Sequence, residues 1–377
     1  MAASNQSSQP PPEIPLAFRD QEMRFARAFT LIREALHRHA FPAAALAVAH
    51  RGELIALQGF GRFTYDANSP EVNAGMVFDL ASVTKVVATT AMAMLLFERG
   101  LLDLDTPVSG TLPEFLSGAT SARRSERRTV TTRMLLTHSS GLPAYIKLFK
   151  SARTRETLFQ AVYDTPLAAP PGAQADYSDI GFILLGRLLE RLAREPLDTF
   201  CSREIFAPLN MSQTMFNPPL GLRVTIPPTE DDRSFRLRIV EGEVNDENAY
   251  VMGGVSGHAG LFAPAIDIAR FAECMLRGGT PILQPATIEL FTRRETSPAG
   301  SSRALGWYTP SPPSSSGKHF SSRSFGHLGY TGTSLWIDPE RQLSVTLLTN
   351  RTWPDRTSQE IKIVRPLIHD AVVEALD

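Results

Sequence analysis

The sequence predicts an α+β fold: an antiparallel β-sheet built from both chain ends, flanked by N- and C-terminal helices, with an all-α region inserted between its strands. Three observations carry this reading. A helical period near the start is followed at once by two apolar runs split by a short turn. The long middle of the chain is dominated by helix signals. The C-terminal part switches to strand-like runs and then returns to a helical pattern. No internal repeat interrupts this order, and the simplest packing brings the two β-rich ends together.

Residues 1–17 are polar and Pro-rich and read as a disordered tail. A single domain then spans 18–377, with its α/β part at about 18–85 and 300–377 and its helical part at about 86–299. Residues 18–39 have helical spacing, with Phe25, Phe29, Ile32 and Leu36 on one face. Residues 41–49 and 54–60 form a hairpin around His50-Arg51-Gly52-Glu53. A short strand at 78–80 leads into an apolar helix that starts at Ser82. The stretches 101–107 and 112–115 are a turn-rich connector, and 121–128 (SARRSERR) is a solvated basic loop. Residues 131–136 start a helix that ends at His138-Ser139-Ser140-Gly141-Leu142-Pro143. Two more helices at 179–193 and 196–206 are split near Glu195-Pro196, and 223–250 is irregular. A helix at 266–277 is closed by Gly278-Gly279. Strands follow at 305–308, 324–326, 333–337 and 343–349, with 311–317 (SPPSSSG) as an exposed loop. Pro354 introduces the last helix, whose apolar face is Ile361, Ile363, Val364, Leu367 and Ile368.

With 377 residues, 43% hydrophobic and 20% charged, the chain has ample material for a large core. A net charge of −1 argues against nucleic acid or a polybasic membrane contact as partner. Cys201 and Cys274 cannot form a disulfide framework, and no Cys/His metal spacing exists. The N-terminus lacks the basic start and apolar stretch of a secretory leader. No apolar run reads as long enough for a membrane span, so the expected location is cytoplasmic. The sequence leaves the oligomeric state open.

The chemistry centres on Ser82-Val83-Thr84-Lys85. On a helix, positions i and i+3 share a face, which brings the Lys85 amine within reach of the Ser82 hydroxyl. A serine hydroxyl needs a base, and a lysine serves as one when burial lowers its pKa. The helix start also puts Ser82 at the positive end of the helix dipole. Tyr177 lies in Asp176-Tyr177-Ser178-Asp179, ahead of the 180–192 helix, where its phenol can approach the serine and shuttle a proton. Asp179 can orient the lysine or a substrate amide, or simply cap that helix. In Gly326-His327-Leu328-Gly329-Tyr330-Thr331-Gly332-Thr333 the small residues, Gly329 among them, let a substrate backbone come close. That strand can also donate a backbone N–H to an oxyanion. In 244–262 the sequence is dense in glycine and polar groups, with Asp246 and His258 as candidate substrate contacts. A loop held by its own hydrogen bonds is an equal reading of that segment.

In order and spacing, SVTK, YSD and HLG resemble the serine β-lactamase and penicillin-binding-protein superfamily, and its class C-like branch in particular. That branch includes esterases, D-aminopeptidases and D,D-carboxypeptidases. LLTHSSGLP looks like the family's loop between the first two motifs, and the resemblance runs from about residue 25 to the C-terminus. It implies a β-lactamase/transpeptidase-like fold. It also implies Ser82 as acylated nucleophile, Lys85 as base, Tyr177 as the tyrosine that activates the serine and protonates the leaving group, and the backbone N–H groups of Ser82 and Tyr330 as oxyanion hole. His327 takes the position of the strand lysine. Asp179 stands where asparagine is usual and Leu328 where threonine is usual. Both changes, with the mostly neutral His327, point away from anionic substrates such as β-lactams. NDENAYVMGGVSGHAGLF resembles a subgroup linked to peptidoglycan recycling, some of whose members remove peptide from N-acetylmuramic acid. The expected function is a metal-free, cofactor-free serine hydrolase forming an acyl-enzyme on an amide or ester of a small or peptide-like substrate, a peptidoglycan-derived muropeptide being one such substrate. A small-ester esterase or weak β-lactamase is the alternative, and a non-catalytic peptide-binding descendant is the alternative of another class.

Overall fold

The computed structural model describes residues 13–117 and 121–377. In chain order its strands are β1 (Ala43–His50), β2 (Glu53–Gly61), β3 (Val77–Asp79), β4 (Met215–Phe216), β5 (Glu230–Asp232), β6 (Arg238–Val240), β7 (Leu261–Pro264), β8 (Phe325–Leu328), β9 (Ser334–Asp338) and β10 (Leu343–Thr349). The main sheet runs β2-β1-β10-β9-β8, with every neighbouring pair antiparallel. Both chain ends therefore build one sheet, as the order of sequence signals predicts. In the β1–β2 hairpin His50 faces Glu53, and Arg51 and Gly52 take φ of 52° and 84°. That left-handed pair is what a two-residue turn needs to follow the strand twist.

Strand alternation gives the sheet two buried faces. Ala44, Leu46 and Val48 of β1 join Val345 and Leu347 of β10 in one core, with Phe29 and Ile32 from the N-terminal helix Ala26–His37, Phe25 at its N-cap, and Val364 and Ile368 from the C-terminal helix Ile361–Glu374. The opposite face presents Ala43, Ala45, Ala47 and Ala49 to the larger core, which includes Phe271 and Ala272 of the helix Ala265–Leu276. Small side chains there let that helix pack close to the strands.

Several expectations need correction. Residues 1–12 of the predicted tail lie outside the described residues, but 13–17 run along β2: Leu54 donates to the Pro15 carbonyl at 2.9 Å and Ala17 to the Leu54 carbonyl at 2.9 Å. The expected basic loop contains a helix, Ser121–Arg127, and its Arg127 is buried, donating to the carbonyls of Phe115, Tyr163 and Thr165. Carbonyls that end neighbouring helices attract that guanidinium inward. The expected strand at 305–308 is a turn: Gly306 has φ of 89°, and of these residues only Tyr308 pairs, with Arg303 and Gly326 as isolated bridges. Residues 223–250 are not irregular throughout, since they hold the β5–β6 hairpin and the helix Glu247–Val251. The loop 311–317 is half-buried, with Ser316 inside. In the last helix Ile361, Val364 and Ile368 are buried, whereas Ile363 and Leu367 are 61% and 45% exposed. They lie on the face turned away from the sheet.

In the small sheet β3-β7-β4, β3 answers the short strand expected at 78–80, whereas β7 and β4, four and two residues long, were not legible in the sequence. It anchors the segment that carries Ser82. Leu80 donates to the Leu261 carbonyl at 2.9 Å, and Leu261 donates to Thr84 Oγ1 at 3.1 Å.

Candidate active site

Asp79 ends β3, buried, and fixes the turn ahead of Ser82. Its carboxylate accepts from the Ala81 N–H at 2.8 Å and the Asn245 N–H at 2.7 Å. Burial pushes its carboxyl up to about 6 against those two bonds. Ala81 takes φ of 45°, a left-handed kink that turns Ser82 into the first turn of the following helix. That helix begins with a tight turn at Ala81–Val83, widens over Lys85–Thr90 and becomes regular at Ala91–Glu98. Widened turns of this kind are frequent at functional sites. Contrary to the sequence expectation, the run Ala81–Glu98 is long and apolar enough to cross a membrane by length and composition, but 83% of it is buried inside the fold. Its apolar character serves the core.

Lys85 is fully buried. Its Nζ meets three oxygens: Ser82 Oγ at 2.9 Å, Asp179 Oδ1 at 2.7 Å and the His258 carbonyl at 2.9 Å. Burial lowers its pKa, and the Asp179 carboxylate opposes that shift. The Tyr177 hydroxyl lies 2.8 Å from Ser82 Oγ and 3.1 Å from Asp179 Oδ1. Burial, with Asp179 next, holds the phenol well above its ordinary pKa, so Tyr177 is a neutral donor. Asp179 does not cap the helix Asp179–Ala193. Ser178 does, its Oγ accepting from the Gly181 N–H at 2.9 Å. Asp179 is thereby free to pair with Lys85.

The segment after the 131–136 helix holds Tyr177 in place. Ser178 donates its N–H to His138 Nδ1 at 3.0 Å and its hydroxyl to the Pro143 carbonyl at 2.7 Å. The His138 ring packs 4.7 Å from Tyr177. On the far side, His258 contacts Ser256 Oγ through Nδ1 and Asp246 Oδ1 through Nε2, both at 2.8 Å. Although burial works against it, His258 holds the Asp246 carboxyl down to about 2. Asp246 also caps the helix Glu247–Val251, accepting from the Ala249 N–H at 2.8 Å.

A cleft of about 830 Å³ joins these parts. Ser82, Tyr177, Asp179, Asp246, His258, Gly329 and Tyr330 line it; Lys85 and His327 lie behind the lining. His327 is buried, bonded to the Leu328 carbonyl at 2.8 Å and stacked 4.5 Å from Tyr308. Burial and the nearby Lys85 hold it well below its ordinary pKa, hence neutral. Gly329 donates to the Thr333 carbonyl at 2.8 Å. A Cβ there would sit 1.9 Å from Thr333 Oγ1 and 2.5 Å from the Leu80 carbonyl, two residues from Ser82. Gly329→Ala is therefore expected to cost about 1–3 kcal/mol of stability through overpacking, read by denaturant unfolding; a wild-type midpoint would show that the turn yields freely.

Sequence reasoning did not single out Asp79, Tyr308 or Arg303. The Arg303 guanidinium lies over the Tyr308 ring at 4.0 Å and the Tyr177 ring at 5.8 Å. Asp79 is adjacent to the serine motif and carried a signal as a buried-strand acid; Arg303 carried none. Among the described residues, no cluster of His, Cys, Asp and Glu is arranged to hold a metal ion.

A model of the beta-lactamase family matches residues 29–366. The chain belongs to that family. It is 33% identical over 346 residues to N-acetylmuramyl-L-alanine amidase of Bacillus subtilis (strain 168), an alignment covering 82% of this chain and 77% of that protein. Solved structures share the fold. EstCE1, a hydrolase with promiscuous acyltransferase activity, superposes with a TM-score of 0.76 at 22% identity, covering 93% of this chain and 99% of that one. A penicillin-binding-protein homologue from Caulobacter crescentus gives 0.72 at 19% identity, covering 98% and 99%. This family member is a serine hydrolase of the β-lactamase-related type with a β-lactamase/transpeptidase-like α+β fold.

Proposed function

We propose that the enzyme is an amidase that removes the peptide from N-acetylmuramic acid through a Ser82 acyl-enzyme, without metal or cofactor. The observation that carries the mechanism is the double contact on Ser82 Oγ, from Lys85 Nζ at 2.9 Å and the Tyr177 hydroxyl at 2.8 Å. The amidase relative at 33% identity supports the substrate class.

A neutral lysine has two N–H donors and one lone pair. With the donors on Asp179 and the His258 carbonyl, the lone pair faces Ser82 and takes its proton. Ser82 Oγ then attacks the lactyl carbonyl of the muramyl group, and the backbone N–H groups of Ser82 and Tyr330 receive the oxyanion. On collapse the C–N bond breaks and the amine leaves with a proton from Tyr177, which Lys85 replaces. Water reverses these steps and frees the muramyl acid. Asp246 and His258 shape the substrate wall, His327 backs Tyr177, and Gly329 admits the substrate backbone. Cytoplasmic action on imported wall fragments is part of the proposal; cell fractionation tests it.

Asp179→Asn removes the charge that opposes lysine deprotonation. The active form has neutral Lys85, so activity rises with pH through the Lys85 pKa, and losing the carboxylate lowers that pKa further. The acidic limb of the kcat/KM profile should move to lower pH. The specificity constant for the anionic β-lactam nitrocefin should rise as well. A limb that stays in place would remove Asp179 from the proton account.

The function is tested by a release panel on purified enzyme: p-nitrophenyl acetate and butyrate, nitrocefin, a D-Ala-D-Ala peptide and N-acetylmuramyl-L-alanine. L-Alanine release with little nitrocefin turnover is expected. Ester turnover alone would replace the amidase by an esterase; D-alanine release alone would replace it by a carboxypeptidase.

A further inference from the structure

We propose that Arg351, Lys362 and Arg365 form a carboxylate-binding subsite on one wall of the cleft, where they read an acidic group on the peptide part of the substrate; the identity of that peptide rests on the amidase reading. All three residues line the cleft. Lys362 and Arg365 stand three residues apart in the helix Ile361–Glu374 and so share a face. Arg351 and Arg365 meet at one turn: Arg351 Nε donates to the Tyr330 carbonyl at 2.6 Å, and Arg365 Nη2 to the Gly332 and Thr333 carbonyls at 2.8 and 3.3 Å.

The charge accounting of the cleft singles these cations out. Its acids are already paired: Asp179 with Lys85 at 2.7 Å, Asp246 with His258 at 2.8 Å, and Glu247 with Arg356 at 3.0 Å. Arg356 also pairs with Glu230 at 2.6 Å. Among the described residues, no carboxylate forms an ion pair with Arg351 or Arg365, which are 6% and 5% exposed. Carbonyl oxygens satisfy N–H groups but leave the charge uncompensated, and a buried cation without a counter-ion is costly. Arg365 Nε has no hydrogen-bond partner among the described residues. Burial, with Arg351 beside it, pushes the Arg365 guanidinium down to about 9. A carboxylate docked here would satisfy both guanidinium groups with charge-assisted bonds.

The location also resolves a tension. Asp179 and Leu328 weaken anion binding near HLG, yet the cleft holds surplus positive charge at the Tyr330–Thr333 turn. The Tyr330–Thr333 turn joins the two regions: Thr331 and Thr333 donate to the Asp79 and Leu80 carbonyls ahead of Ser82 at 2.8 and 3.0 Å, and the Tyr330 ring lies under the Arg351 guanidinium at 4.4 Å. An acidic group bound there is held beside the reacting carbonyl.

The test reads occupancy rather than turnover. A fluorophosphonate labels Ser82, and L-alanyl-D-glutamate or its neutral diamide is added to slow labelling. The dipeptide is expected to protect at a concentration at least tenfold lower than the diamide. Arg351→Gln and Arg365→Gln should each abolish that preference, Lys362→Gln, at an exposed position, should reduce it, and Arg365→Lys should restore part of it. A purely structural clasp would shift both ligands alike. Equal protection by the two compounds, no protection by either, or a preference unchanged in the variants overturns the subsite. L-Alanine release from N-acetylmuramyl-L-alanine is followed in parallel. Absent release with intact preference removes the amidase reading alone; release without preference removes the subsite alone.

Discussion

Replacing Ser82 by alanine is expected to lower kcat/KM by about 10⁴-fold or more, with the fold retained. The oxygen that Lys85 and Tyr177 both address disappears, so no acyl-enzyme forms. The variant loses two hydrogen bonds but gains helix propensity, and unfolding free energy should stay within about 1 kcal/mol of wild type. Lys85 keeps Asp179 and the His258 carbonyl as partners. Steady-state kinetics and denaturant unfolding on the same preparation check both halves. Activity surviving in a folded variant would remove Ser82 from the mechanism.

Lys85→Ala is expected to slow acylation by about 10²–10⁴-fold and to destabilise the protein by about 3–5 kcal/mol. The two effects have separate causes. Acylation slows because the remaining contact on Ser82 is the Tyr177 phenol, whose raised pKa makes it a donor and a poor base at neutral pH. Stability falls because Asp179, with a side chain only 16% exposed, loses its counter-ion. The pre-steady-state burst with an activated ester should vanish, since acylation becomes the slow step. The double variant Lys85→Ala/Asp179→Asn should recover stability without the burst. A burst of wild-type rate in Lys85→Ala would assign the base elsewhere.

Much of the fold was legible because its signals are local. The β1–β2 hairpin declares itself through apolar runs around Arg51-Gly52, and the N-terminal helix through Phe25, Phe29 and Ile32. The closure of one sheet by both chain ends followed from element order. What escaped depends on distant partners. β7 is four residues long and exists because β3 and β4 flank it. Arg127 reads as a surface charge until three carbonyls from other segments surround it. Ile363 and Leu367 look like core residues by type, but the helix phase set by Val364 and Ile368 turns them outward.

The meeting of Ser82, Lys85 and Tyr177 was legible in the same sense. The Ser-x-x-Lys spacing places the lysine by helix geometry, and the motif order places the tyrosine by resemblance. The role of Asp179 was open between capping and pairing. The structure decides the geometry because Ser178, one residue earlier, takes the cap. His327 is buried beside Tyr177, the two rings 6.2 Å apart, and does not line the cleft. Arg303 acts across a long sequence separation, and no local pattern marks it; Asp79 stands beside the serine motif, but its second partner, Asn245, is distant in sequence.

The most direct test of the account is to map a fluorophosphonate adduct on the wild-type enzyme in the presence and absence of N-acetylmuramyl-L-alanine. One label per chain, on the peptide containing Ser82 and suppressed by the muramyl ligand, is the predicted result. A label on another residue, or labelling of Ser82 that the muramyl ligand leaves unchanged, would contradict it.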